Sequence, residues 1–413
     1  MSNKQIRVVL KVFLPFAAGY FLSYVFRVVN AVISTDLVSD IAIGPSELGL
    51  LTATYFIAFA SFQLPLGILL DRFGPRKTES ILLLFAAAGA FIFAQAHSLT
   101  GLIIGRAFIG FGVSSCLMAA FKAYTLWFPR ERLPMINGFQ MASGGLGALA
   151  ATSPVEFMLG VTDWRTIFLV LAALTLVVAV VVWYIVPEKK RVTGGESLGG
   201  QLRGISEVFT SMQFWRVAPL TTMSQAAFLS IQGLWSGPWL RDVAGFDRSA
   251  TASVLFMVAV AMICGFISLG SIAQRLDRTG VSVQATAVIG MSAFLLTQVV
   301  LVFGPPEWAG FVWLLFGFFG TAGILAYAAL TQSFQVHLSG RVTTGINLLV
   351  FVTAFAAQWV IGAVIELWPI SPDGSYSAPG YMAGFSLMLF AQAVALFWYV
   401  YAGRFVKKAD AGD

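Results

Sequence analysis

At 413 residues, with 58% hydrophobic and only 11% charged, the chain lies outside the range of soluble domains, which carry about 25% charged residues. Its net charge of +6 would suit a nucleic-acid partner, but the distribution of that charge excludes one. Of 25 Lys and Arg, three fall inside apolar runs and three in one set of loops (Arg165, Arg241 and Arg248); the remaining 19 fall in the other loops and the termini. That asymmetry is the positive-inside rule, and it predicts both termini in the cytoplasm.

In chain order, apolar runs are predicted near 10–34, 47–70, 79–97, 100–126, 135–160, 163–186, 217–240, 249–273, 281–303, 309–333, 343–368 and 379–403. Each is long enough to cross a hydrocarbon core of about 30 Å. Backbone groups in lipid must be satisfied within the segment, so the runs should be helices. The first is too long for a signal peptide and lacks a small-residue cleavage site, so it reads as a membrane helix. Cys116 and Cys264 both lie in predicted helices and suggest neither a disulfide nor a metal site.

The longest internal polar stretch, 187–216, divides the helices six and six. Its Gly and Ser content predicts a cytoplasmic linker followed by a short amphipathic piece on the membrane surface. The expected units are therefore 1–186, the linker, and 217–413. The halves share a pattern: Gly67, Asp71 and Arg72 recur as Gly270, Gln274 and Arg275. Two six-helix repeats around a central path are the architecture of many secondary transporters. There is no GxxxxGK[ST] loop, so transport driven by ATP is not expected.

Gly67, Asp71, Arg72, Gly74, Arg76 and Lys77 crowd into the gap between the second and third runs. This cluster resembles the loop 2–3 signature of the major facilitator superfamily. Leu102 to Gly112, with Arg106 inside, is similar to that family's fourth-helix motif, and Asp163 to Phe168 to the opening of its sixth helix. The resemblance implies an all-α membrane protein of twelve helices in two pseudo-symmetric six-helix bundles. It also implies a gating role for the loop, with Asp71 latching the halves and Arg72, Arg76 and Lys77 meeting anionic lipid. Gln274 replaces the aspartate in the second copy, where the latch should be weaker. Gly138 to Pro154 is glycine-rich but lacks the Gly-Pro pair of drug–proton antiporters, and its glycines read as close helix packing.

Arg27, Arg106 and Lys122 are the cations within predicted spans, and acids such as Asp36, Glu79 and Glu156 fall near span ends. A charge at the bilayer centre costs about 2.5–3.5 kcal/mol, so each needs a partner, water or a task. Cations without carboxylates imply a cavity of positive potential, which an anionic solute would complete. Gly19 to Arg27 is similar to the first helix of organophosphate–phosphate antiporters, where a tyrosine-rich stretch ends in a substrate-binding arginine. Tyr20, Tyr24 and Arg27 share one helical face. The seventh helix offers Ser230 and Gln232 where those antiporters have a second arginine, which favours a monoanion over a phosphate dianion.

Arg106 reads either as a structural cation or as part of proton coupling, and Lys122 either as snorkelling to the interface or as a second anion contact. Glu156 reads either as an outer-interface acid or as the one protonatable carboxylate. Gln225, Gln232, Gln332, Asn347 and Gln358 supply amides. Trp235, Trp239, Tyr327 and Trp359 read either as rings for a planar solute or, the expected role for each one taken singly, as packing or interfacial anchors. His97 and His337 show no metal constellation, and no Ser-His-Asp set exists, so no enzyme and no cofactor are expected.

The reading is a multi-pass inner (plasma) membrane transporter, expected to be monomeric. It takes up a small anionic organic solute by alternating access, with lipid, the solute, and protons or a counter-anion as its partners. Exchange or uniport ranks above proton symport, for want of a mid-span acid. Multidrug efflux and a solute sensor are the alternatives.

Overall fold

A computed structural model describes residues 7–129, 132–188, 198–335, 338–371 and 374–409. Lys4, Arg130, Lys189, Lys190 and His337 lie outside the described residues, as do the side chains of Asp71, Lys407 and Lys408. Among the described residues the regular structure is entirely helical.

A π turn at Val9–Phe13 leads into α1 (Leu14–Val28), which is separated from α2 (Asn30–Ile41) only at Val29. α3 (Pro45–Ser61) starts where Glu47 accepts the Gly44 backbone N–H at 3.0 Å, and Pro45 suits the first turn. α4 (Gln63–Gln95) is two helices joined across Gly74, whose φ of +79° only glycine adopts without strain. α5 (Leu99–Val113) is capped by Ser98, and α6 (Cys116–Trp127) continues it after a break at Ser114 and Ser115. α7 (Leu133–Ala150), α8 (Ser153–Leu159) and α9 (Trp164–Ile185) complete the first set, with Asp163 accepting the Thr166 N–H at 2.7 Å to cap α9.

α10 (Leu198–Thr210) fills the position of the predicted amphipathic piece and packs against a helix of the second set. α11 (Met212–Ser230) begins before the predicted span and passes through a π turn at Ile231–Trp235 into α12 (Ser236–Asp242). α13 (Arg248–Asp277), α14 (Val283–Phe303), α15 (Ala309–Gly320), α16 (Gly323–Gln332), α17 (Ser339–Ile365) and α18 (Ala378–Ala409) follow.

Among the described residues, nine spans are long and apolar enough to cross a membrane. The other three predicted runs are helical but divided, at Phe62, at Ala151–Thr152 and by the π turn of α11. Large apolar side chains such as Leu296, Phe311, Phe390 and Phe397 are exposed on the flanks, where only lipid would cover them. Inside, one apolar cluster runs through both sets of helices, and the stacked rings of Phe59 and Phe351 join α3 to α17 at 4.1 Å. A smaller cluster including Phe16, Leu70, Leu82, Tyr124 and Val186 lies in the first set. Gly110 meets the Tyr55 backbone and Gly317 the Val258 backbone, so α5 on α3 and α15 on α13 pack by the same device.

Candidate solute site

Besides the divisions at Phe62 and Ala151–Thr152, helical rods among the described residues are interrupted at Val29, at Ser114–Ser115, at Ile231–Trp235 and at Thr321–Ala322. Two of these breaks are chemically alike. Ser114 Oγ donates to the Phe111 carbonyl at 2.6 Å, and Thr321 Oγ1 to the Phe318 carbonyl at 2.8 Å. Gln63 then donates to the Ser114 carbonyl at 3.3 Å, and Gln225 to the Gly320 carbonyl at 2.9 Å. Irregular backbone at membrane depth is tolerated only where protein or a polar cavity lines it, and half-helix ends offer dipoles to charged solutes.

Arg27 lies on α1 just before the first break and is 7% exposed. Its guanidinium carbon sits 4.4 Å from the Tyr24 ring centroid, 5.3 Å from Phe351, 5.8 Å from Phe59 and 5.9 Å from Tyr55. Among the described residues no carboxylate pairs with it, and its Nε is buried without a hydrogen-bond partner. It neither faces lipid nor is neutralised by an acid. An aromatic cage favours a cation but offers no acceptor to Nε. Tyr20 packs edge-on to Tyr24 at 5.2 Å and donates to Met141 Sδ at 3.7 Å. Gly144 of α7 makes room for both rings, since a Cβ there would lie 2.6 Å from Tyr20 and 2.7 Å from Tyr24.

The second set approaches through its π turn. A Cβ on Gly233 would stand 3.4 Å from the Arg27 carbonyl and 3.6 Å from Gln358 Nε2, so backbone meets backbone here. Trp235 Nε1 donates to the Gln358 carbonyl at 3.0 Å, Gln358 Nε2 donates to the Ser230 carbonyl at 3.1 Å, and Gln358 Oε1 is buried without a partner. Asn347 donates to Gln63 Oε1 at 3.4 Å across the two sets and accepts from Tyr327 at 3.3 Å.

Gln232 turns instead to Met262 Sδ at 3.6 Å, and Lys122 is half-buried on α6. Trp239 packs on Trp313. Trp359 is 41% exposed beside Phe355. Tyr55, Phe59 and Phe351 are the site residues that sequence reading missed. In a chain with 37 Phe, nothing in the pattern marks them.

Arg106 Nη1 donates to the Phe26 carbonyl at 2.7 Å, and its head lies 5.3 Å from Phe93 and 5.9 Å from Phe168. In the loop motif, Arg76 bonds Glu188 at 2.9 Å and the Val186 carbonyl at 3.4 Å, while Lys77 pairs with Glu188 at 3.4 Å, all within the first set. Arg72 is exposed near Phe73, and no side chain crowds Gly67. In the second copy α13 runs unbroken past Gly270 and Gln274, and the turn is made later, at Gly280 with φ +94°.

At one rim the two sets of helices are tied together. Arg248 of α13 bonds Asp36 of α2 at 2.8 and 3.1 Å and Glu156 of α8 at 2.8 Å, and Arg241 donates to Ser34 at 2.9 Å. Glu156 is thus an ion-paired rim residue and not an acid of the membrane interior. At the same rim Asp40 takes Arg165 and the Trp164 indole, and the guanidinium holds its carboxyl below the usual range. Asp163 is lowered by the Thr166 N–H that it accepts. The placement of Glu79 near a span end is also corrected. It is fully buried, and neither carboxyl oxygen has a hydrogen-bond partner. The helix restarts at Pro75 immediately after the Gly74 kink, which carries Glu79 inside the span Arg72–Gln95.

Comparison with known proteins agrees with this architecture. The Major Facilitator Superfamily model matches residues 16–358. A probable sulfoacetate transporter of Cupriavidus necator is 24% identical over 88% of both chains. The hexuronate transporter of Escherichia coli K12 is 23% identical over 86% of this chain and 87% of its own. A bacterial homologue of the lysosomal transporter Spinster, solved inward-facing and unoccupied, superposes with a TM-score of 0.77 at 14% identity over 98% of both chains. With a family model spanning most of its length and helices arranged to match, the chain belongs to the major facilitator superfamily and is a multi-pass membrane transporter rather than an enzyme.

Proposed function

We propose that the protein carries a small organic monoanion, a low-molecular-weight sulfonate or sugar acid, inward across the plasma membrane by alternating access. The observation that carries this reading is Arg27: a buried guanidinium with an unpartnered Nε and no carboxylate beside it among the described residues. A bound carboxylate or sulfonate would supply the missing acceptor, and the tyrosines and Gln358 would orient it. One arginine suits one negative charge. The name of the hexuronate relative points to the same class, while sulfoacetate carries a second charge and that relative's name points to small organic anions more widely.

In this reading residues 1–186 rock against 217–413 about the interrupted helices, with both termini cytoplasmic. The face closed by Arg248 is then the outer one, and the described state belongs to the inward side of the cycle. Asp71 and its loop act at the opposite gate.

The test is a thermal-shift screen of the purified protein with sulfoacetate, galacturonate, glucuronate and neutral glucose, in wild type and Arg27→Ala. Stabilisation by an anion in wild type alone is expected. A charge-assisted hydrogen bond contributes about 1.5–3 kcal/mol, so its loss weakens binding about 10- to 150-fold. Equal stabilisation of both proteins would overturn the anion site. Saturable binding without flux in proteoliposomes would make the protein a sensor.

A further inference from the structure

Glu79 has no place in the site described above, and its surroundings are unusual. The carboxyl lies against Gly19, where an added Cβ would run into Glu79 Oε1, and the Cys116 sulfur is 3.7 Å from that same Cβ position. Gly19 is the eleventh residue of the 20-residue span Val9–Val28, so the acid, whose own helix carries it inside Arg72–Gln95, lies against a mid-membrane position of α1. At 1.5 Å per residue, the eleventh position is about 15 Å in, half of a hydrocarbon core of about 30 Å.

Among the described residues the groups facing Glu79 do not neutralise it; α5, which also packs on α4, brings Arg106, whose Nη1 is engaged by the Phe26 carbonyl. α1 presents Gly19, and α6 presents Cys116 and, within electrostatic range, Tyr124. Tyr124 gives its hydroxyl proton to Gln140 of α7 at 2.7 Å. On its own helix Arg76 and Lys77 are engaged by Glu188 at the membrane edge. Of α9, which also packs on α4, Arg165 is held at the opposite rim by Asp40, and Tyr184 is exposed.

An ionised carboxylate in such a place, with neither a cation nor a donor, carries a desolvation penalty of several kcal/mol, whereas a carboxylic acid does not. Cys116 opens α6 directly after the break, and the buried hydroxyl of Ser115 beside it also lacks a partner. Gly19, against which Glu79 lies, immediately precedes Tyr20 on α1, the helix that carries Arg27.

We propose that Glu79 is a proton site. It holds a neutral carboxyl in the closed-face state and exchanges that proton with water through the break at Ser114–Ser115 when the site opens. The O–H bond breaks, the proton passes to water, and a carboxylate remains until it is reprotonated. With Arg27 needing an anion and Glu79 a proton before the interior closes, one monoanion and one proton move together, and transport is electroneutral symport. The coupling rests on the anion reading above; the proton site itself does not.

Two measurements separate them. Infrared difference spectra of the membrane-reconstituted protein at neutral pH should show a protonated-carboxyl C=O band that disappears in Glu79→Gln. In proteoliposomes, an inward-directed proton gradient should accelerate uptake of galacturonate, a monoanion, at least tenfold in wild type, with matching alkalinisation outside. Glu79→Gln should keep counterflow exchange and lose both effects, and Glu79→Asp should restore gradient-driven uptake with a displaced pH profile.

Absence of the band in wild type, or its survival in Glu79→Gln, overturns the proton site. Equal gradient-driven uptake by wild type and Glu79→Gln overturns the coupling. If wild type moves no probe, the anion reading and the coupling fall, and the infrared band alone decides the proton site.

Discussion

Arg106 donates through Nη1 to the carbonyl of Phe26, 2.7 Å away, and so fixes the backbone one residue ahead of Arg27. A buried cation on α5 thereby positions the cation on α1 without touching it. Arg106→Lys shortens the reach and removes the planar donor, and is expected to lower anion affinity about tenfold while the protein still folds. Arg106→Ala, which leaves the Phe26 carbonyl without its donor, should also lower the melting temperature. Binding isotherms on both variants check this; unchanged affinity in Arg106→Lys would assign the residue to stability alone.

The rim network offers a second test. Arg248 is shared by Asp36 and Glu156, and all three are partly exposed, so the cluster contributes on the order of 1 kcal/mol to closure. Arg248→Ala should raise the open population several-fold. Ser34, 1% exposed behind this rim, reports it: in a Cys264→Ser background, Ser34→Cys should react faster with an impermeant maleimide once Arg248 is removed. Raised salt should accelerate labelling in the parent protein and not in the Arg248→Ala background.

Gly144 is a steric prediction. Adding one methyl places it 2.6–2.8 Å from the Tyr20 and Tyr24 rings, so a ring must move or the helices must separate. Gly144→Ala is expected to cost about 1–3 kcal/mol through overpacking and to disturb the cage around Arg27. Gly138→Ala, where nothing lies within 4 Å, should be silent. Melting temperatures and anion affinities of the pair check the contrast.

The cap of α9 sets a pH dependence. Asp163 is lowered by the Thr166 N–H it accepts, so its stabilisation is fully present above the ordinary Asp value and is lost as pH falls through the depressed one. At neutral pH Asp163→Ala should cost about 1 kcal/mol, the usual loss for an N-cap. The difference between wild type and variant should shrink below about pH 4. A gap that persists at lower pH would point to packing instead.

Much of this molecule is legible from hydropathy because lipid forces each long apolar run into a helix, and the loop charges add an expected orientation. Arg27 stood out for the same reason: a lone cation in a span is conspicuous. Glu79 was not, because hydropathy counts position along the chain while burial depends on where the helix bends. The kink at Gly74 and the missing side chain at Gly19, on another helix, together put that acid in the interior. Glu156 was legible as an outer-interface acid, but its partner was not, since Arg248 of α13 lies 92 residues on. Phe351 and Tyr55 were invisible because an aromatic near a cation is a fact of packing and carries no local signature.

The π turn at Ile231–Trp235 amounts to one extra residue wound into a helix. Removing a single residue there would restore the ordinary winding and leave the helix beyond it facing as before, while residues of the turn itself shift by one position, about 100° of helix face. Trp235 and Gln232 would no longer face their present neighbours, though no side chain had been replaced. A change of cargo can thus be written into this fold as a change of length, by deletion rather than exchange.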